Sequence, residues 1–232
     1  MYVQSAPNSL FDDMLQVWRD LPCAEGVKVP AKKSFAPSML TKHLQNLGIA
    51  EHRGEGRLSI RLAGTNSRQF WGKEMTGTSL EDIATDMPEN VMVPPMILEA
   101  VFRHPCGMRS LREAEDKRGH SWQVDMLSLP FANGRGEVKF LLYGYRIAPK
   151  DESVPQTWEP GFADFSTARL VGAEFVDIGQ GCLASLQGLY VLRLLDKEYR
   201  HLLWRLPTQL FDRRPHNAGQ LQPDLLRQFL AL

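Results

Sequence analysis

Apolar and polar positions along the chain change period several times, from helical to extended and back. Leu10, Phe11, Met14, Leu15, Val17, Trp18 and Leu21 recur at helical spacing. Asp12 and Asp13 fall in the first turn, where carboxylates offset the positive end of the helix dipole. Pro22 ends this helix, and a polar, lysine-bearing connection runs from Ala24 to Ser34. Pro37 and Ser38 open a short helix containing Met39, Leu40 and Leu44. Two extended runs follow, Leu47–His52 and Arg57–Gly64, around the glycine-rich turn Arg53–Gly56. In the second run Leu58, Ile60 and Leu62 alternate with Arg57, Ser59 and Arg61, which predicts a β-hairpin with one face inward.

From Thr65 the pattern becomes helical and broken. Thr65 or Asn66 caps a turn that stops at Gly72, and Thr78 and Glu81 have the spacing of a capping box before Ile83. Ile97, Leu98, Val101 and Phe102 form an apolar stripe between Pro94–Pro95 and Pro105. Two hairpin turns come next. Lys117–Gly119 separates Gly107–Asp116 from His120–Pro130, and Asn133–Gly136 leads into Glu137–Ile147. Read alone, Arg109–Asp116 fits a helix as well as a strand. The last run is apolar on both faces, with Phe140 and Leu142 on one and Leu141, Tyr143, Tyr145 and Ile147 on the other. Such a strand is central in its sheet and covered on each side, and the helix Phe11–Leu21 is the expected cover for one of them.

Beyond Pro149–Pro160, a polar boundary, Arg169–Gly179 is compatible with one more strand. Cys182–Leu206 reads as a long helix in which Leu192, Leu195, Tyr199, Leu202 and Leu206 alternate spacings of three and four. That seam spans barely two heptads, so packing onto its own domain and pairing with another chain both remain open. A last short helix is expected over Pro223–Leu232.

Composition narrows the function classes. Lysine plus arginine equals aspartate plus glutamate at 27 each, so no net charge draws the chain to nucleic acid or anionic lipid. Arg213, Arg214 and His216 form a local basic group best read as a solvated turn. Cys23, Cys106 and Cys182 are odd in number and far apart, which argues against a disulfide framework. The first twenty residues have no basic residue before Arg19, unlike a signal peptide, and no apolar run approaches the roughly 18–20 residues of a membrane helix. The expectation is a cytoplasmic protein with neither nucleic acid nor membrane as partner.

The order of helix, hairpin, short helices and two further hairpin-linked strands is that of the PAS fold. The residues sharpen the resemblance: Arg61-Leu62-Ala63-Gly64-Thr65, Phe70, Gly72-Lys73-Glu74 and Thr76-Gly77-Thr78-Ser79-Leu80 resemble the opening of a PAS-like family widespread in alphaproteobacteria. The Trp18-Arg19 pair, the Phe35–Pro37 segment, Met126–Asn133 and Phe140–Tyr145 also resemble it, so the likeness spans about Leu10–Ala148. It implies an α+β fold with a five-stranded antiparallel sheet, short helices on one face, an N-terminal helix and, outside the likeness, a mainly helical C-terminal extension. The expected division is 1–34 for the first helix and connection, 35–148 for the PAS-like domain, 149–167 for a linker and 168–232 for the extension. PAS domains variously hold haem, flavins, metabolites or nothing, so the fold does not fix a ligand.

Each chemical reading has a plainer competitor. His104 lies near the place of a PAS haem ligand, but Pro105 follows directly and favours an exposed cap; no cofactor is expected. His104-Pro105-Cys106 offers a nitrogen and a sulfur with no second pair to complete a zinc site, so no metal is expected. Asn66-Ser67-Arg68-Gln69-Phe70 has serine where light-sensing flavin domains carry a reactive cysteine. No nucleophile elbow, zinc-protease helix, P-loop or dinucleotide fingerprint is present, and the chain reads as non-catalytic.

The expected role is that of a sensory or regulatory module acting through a protein partner or second protomer, with a homodimer the leading form. The alternative is a dedicated small-molecule-binding protein with a filled apolar pocket, and an unrecognised enzyme ranks third. Candidate pocket walls are Phe70, Trp71, Met75, Leu80, Ile83, Ile97, Val101, Met126 and Phe140, each of which also serves a plain core. Candidate interface residues are Phe11, Met14, Trp18, Leu192, Leu195, Tyr199 and Leu202. A small apolar or carboxylate ligand fits this scheme, although alternation with Leu62 points the nearest cation, Arg61, away from the interior.

Overall fold

The computed structural model describes residues 9–84, 91–93, 95–154, 163–176 and 178. Helix α1 (Ser9–Asp20) leads through two 3-10 segments, Lys32–Ser34 and Pro37–Asn46, into the hairpin β1 (Leu47–His52) and β2 (Leu58–Ala63). Three short helices follow, α2 (Thr65–Trp71), α3 (Leu80–Ala84) and α4 (Pro95–Arg103). Four strands complete the described fold: β3 (Gly107–Asp116), β4 (Ser121–Ala132), β5 (Val138–Pro149) and β6 (Ala163–Val176). The sheet runs β2-β1-β5-β4-β3-β6, and every neighbouring pair is antiparallel.

Strand β5 is central, as its two apolar faces require. On one face Leu141, Tyr143, Tyr145 and Ile147 pack with residues of α2, α3 and α4. On the other, Leu142 packs with Met14 and Trp18 of α1 and with Leu127, Leu129 and Phe131 of β4. Alternation along the strand places these two clusters on opposite sides of the sheet. Helix α1 sits tightly: a Cβ on Gly144 would collide with the Met14 sulfur, so any larger residue here would displace the Met14 side chain. Trp18 Nε1 donates to the Pro130 carbonyl at 2.7 Å, and Asp13 meets the buried His43 at 2.8 Å.

Three sequence expectations change, and one choice left open is resolved. The sheet has six strands, not five, because β6 hydrogen-bonds alongside β3 and converts what would be an edge into an interior strand. This strand starts within 149–167 and continues into 168–232 of the expected division. Arg109–Asp116 is extended, since β4 and β6 satisfy its backbone on both sides. Leu62 is 38% exposed because a bulge in β2 leaves Arg61 unpaired and reverses the alternation after Ile60. The reciprocal cap of α3 is formed by Ser79 and Asp82, one residue on from Thr78 and Glu81, with the Asp82 amide 3.0 Å from the Ser79 hydroxyl. The expected helices Cys182–Leu206 and Pro223–Leu232 lie outside the described residues.

Truncating Met14 to alanine opens a void between α1 and Gly144, where the backbone has no side chain with which to fill it. The expected loss is about 2–5 kcal/mol of folding stability, measured by chemical denaturation.

Candidate functional site

The helix-covered face of the sheet is the candidate site, and strand register fixes which side chains meet there. One row across it joins Phe175, Met108, Ser128 and Tyr143. The next joins Ala173, Ser110, Met126 and Tyr145, and a third joins Leu170, Arg112, Val124 and Ile147. The apolar members of these rows belong to one core cluster. The polar members are informative. Tyr143 lies against Gly48 and donates to the Leu62 carbonyl at 3.3 Å, while Tyr145 donates to the Gln45 carbonyl at 3.3 Å. Burial raises the pKa of both phenols, so both stay neutral donors. Ser110 and Ser128 are buried at 1% and 3% exposure.

Arg112 is the one charged side chain in these rows. Its Nε donates to the Val91 carbonyl at 2.9 Å, in the segment before α4, and Nη1 donates to the Ser110 hydroxyl at 2.9 Å. Burial lowers its guanidinium from 12.5 to about 10. By contrast, Arg61 lies outside and pairs with Glu51 at 3.1 Å.

The helical cover is tied down at one carboxylate. Glu99 of α4 accepts from the Gly56 amide at 3.0 Å and from Arg103 Nε at 3.0 Å, and it meets His52 Nε2 at 2.8 Å. The His52 ring stacks on Phe102 with centroids 4.1 Å apart. Burial disfavours the charge on Glu99, but the bonds from Arg103 and Gly56 and the nearby His52 outweigh it and hold its pKa below 4.5. At the far end of β3, Asp116 accepts from the amides of Arg118 and His120 and meets the His120 ring and the Trp122 indole N–H. Desolvation again opposes ionisation, and these bonds bring the carboxyl to about 2.

Eight of the nine sequence-derived wall residues come together on this face: Phe70, Met75, Ile83, Ile97 and Val101 are buried, and Trp71, Leu80 and Met126 pack against them. Phe140 does not join them. It faces the α1 side with Leu142, as the strict alternation of β5 requires. Of the interface candidates, Met14 and Trp18 are buried under the chain's own sheet at 0% and 4% exposure, and Phe11 is half-buried with Arg109 over its ring at 5.7 Å. Leu192, Leu195, Tyr199 and Leu202 lie outside the described residues. His104 is exposed just after α4, whereas Cys106 is buried in the core, so the two do not converge. No cluster of three metal-ligating side chains occurs among the described residues.

Arg112, Ser110, Glu99 and Asp116 were not singled out from the sequence. Even-numbered alternation of Met108, Ser110, Arg112 and Ala114 carries the signal, and it becomes readable once the run is taken as a strand.

An antiparallel sheet with a layer of short helices over one face defines an α+β module. The PAS domain family profile matches residues 7–145, more than half of the chain, and the chain belongs to that family. PAS domains are generally sensory and regulatory modules. Comparison with curated proteins gives no match. No helix among the described residues is long and apolar enough to cross a membrane.

Two measurements test the latches. Glu99→Gln removes the charge that holds His52 and Arg103 and is expected to cost about 1–3 kcal/mol in denaturant unfolding. Asp116 binds its proton more weakly folded than unfolded, so its stabilisation is present above pH 3.8 and disappears as pH falls toward about 2. In Asp116→Asn that part of the acid dependence of the melting temperature is expected to vanish.

Proposed function

We propose that this chain is a non-catalytic regulatory module of the cytoplasm that responds to a small molecule on its helix-covered face and passes the response to a protein partner or a second copy. One observation carries the reading. Strand β3, which presents Ser110 and Arg112 to that face, is hydrogen-bonded along its length to β6, the strand that leads into the rest of the chain. Ala168, Leu170, Ala173 and Phe175 of β6 belong to the same interior cluster, so whatever presses on Ser110 also presses on β6. A ligand shifts such a device only by contacting its two arrangements differently, and side chains at the β3–β6 junction supply that difference. With Met14 and Trp18 committed to the chain's own core, partner contact falls to surfaces other than the inner face of α1.

The test enlarges the junction without a ligand. Ala173, opposite Ser110, is replaced by phenylalanine in the full chain, and tryptic cleavage within 179–232 is timed while the melting temperature is monitored. The expected result is a change of about twofold or more in cleavage rate, the lower end of what coupled sites transmit, with the domain still folded. Unchanged cleavage in a folded variant refutes the coupling.

A further inference from the structure

A guanidinium carries five N–H donors and no acceptor. For Arg112 two are used, on the Val91 carbonyl and the Ser110 hydroxyl, and three find no partner among the described residues. The described carboxylates nearest along the sheet are engaged elsewhere. Glu113 points to the opposite face and pairs with Lys150 at 2.8 Å and Arg169 at 2.6 Å. Asp125 holds Arg109 at 2.6 Å, Glu99 is bound to His52 and Arg103, and Asp116 is bound within its own turn. A cation enclosed among Val124, Ile147 and Leu170 without a counter-charge is costly, and proteins retain one where an anion completes it.

We propose that Arg112 and Ser110 form the recognition point for a monocarboxylic acid with an apolar body, bound between β3 and the helical cover. The inference rests on the regulatory reading above and names the ligand class for it. With Nε on Val91 and one Nη1 hydrogen on Ser110, the unused donors are those of Nη2 and the second Nη1 hydrogen, and a carboxylate oxygen accepts charge-assisted bonds from such donors. The Ser110 hydroxyl accepts from Nη1 and keeps its own proton to donate to the same carboxylate. One positive charge matches one negative charge; a phosphate dianion leaves a surplus charge in an apolar surrounding. The neighbours Val124, Met126, Ile147 and Leu170 suit a hydrocarbon body. Arg112 retains partial exposure, so the site is not sealed from solvent.

The experiment uses the full chain, stripped of bound small molecules by unfolding and refolding, with octanoate as probe, octanol as its uncharged counterpart and inorganic phosphate as the dianion. Octanoate is expected to raise the melting temperature, with octanol and phosphate doing so far less. Arg112→Gln is expected to weaken octanoate binding about tenfold or more by calorimetry, the size of a lost charge-assisted bond. Ser110→Ala, a small change in a strand, weakens it in the same direction and guards against misfolding of the first variant.

The proposal is overturned if no carboxylate effect is seen, if octanol or phosphate matches octanoate, or if Arg112→Gln binds octanoate as the parent does. None of these outcomes bears on the Ala173→Phe test, so failure of the ligand class and failure of the regulatory reading are separable.

Discussion

Strand β5 must bury both of its faces at once, and the rest of the structure follows from that constraint. Tyr143, Tyr145 and Ile147 call for a helical cover on one side, while Leu142 and the bare backbone of Gly144 call for another on the opposite side. A single layer satisfies only half of this, so α1 takes one face and α2, α3 and α4 the other. The two covers are held differently. Helix α1 is seated by full burial of Met14 and Trp18, worth about 1.5–3 kcal/mol for a side chain such as Met14. Ion pairs at the surface, such as Lys150–Glu113, contribute about 0–1 kcal/mol and do not decide the arrangement.

The helical cover combines apolar packing with a polar latch. Glu99 gathers His52, Gly56 and Arg103 at one end of the face, and the Val91 carbonyl meets Arg112 in the segment before α4. The cover is thus tied to the hairpin β1–β2 by a satisfied carboxylate and to β3 by a guanidinium that, among the described residues, uses two of its five donors. That asymmetry makes the β3 side the place where an added anion changes the balance. Strand β6, paired with β3 throughout, is the element placed to feel it.

Much of this was legible in the sequence. The turns at Arg53–Gly56 and Asn133–Gly136, the two-faced run around Tyr143 and the amphipathic first helix gave the hairpins, the central strand and one of its covers. The family likeness then supplied an antiparallel sheet of five strands, one fewer than the six observed. Less legible were features set by tertiary pairing. The bulge at Arg61 depends on how β1 meets β2, and it alone exposes Leu62. Phe140 was counted among the wall residues, although its own alternation with Leu141 places it under α1. The site's cation was missed because Arg109–Asp116 fits two periods equally well, and only pairing with both β4 and β6 fixes Arg112 on the inner face.

The proposed link runs from the face carrying Arg112 through β3 and β6 to the chain beyond Ile178. Amide hydrogen exchange of the full chain, with and without saturating octanoate, tests this most directly. The account predicts altered protection on β3 that extends along β6 and into the residues after it. Protection that changes on β3 and α4 alone, with β6 and the following residues unmoved, would contradict it.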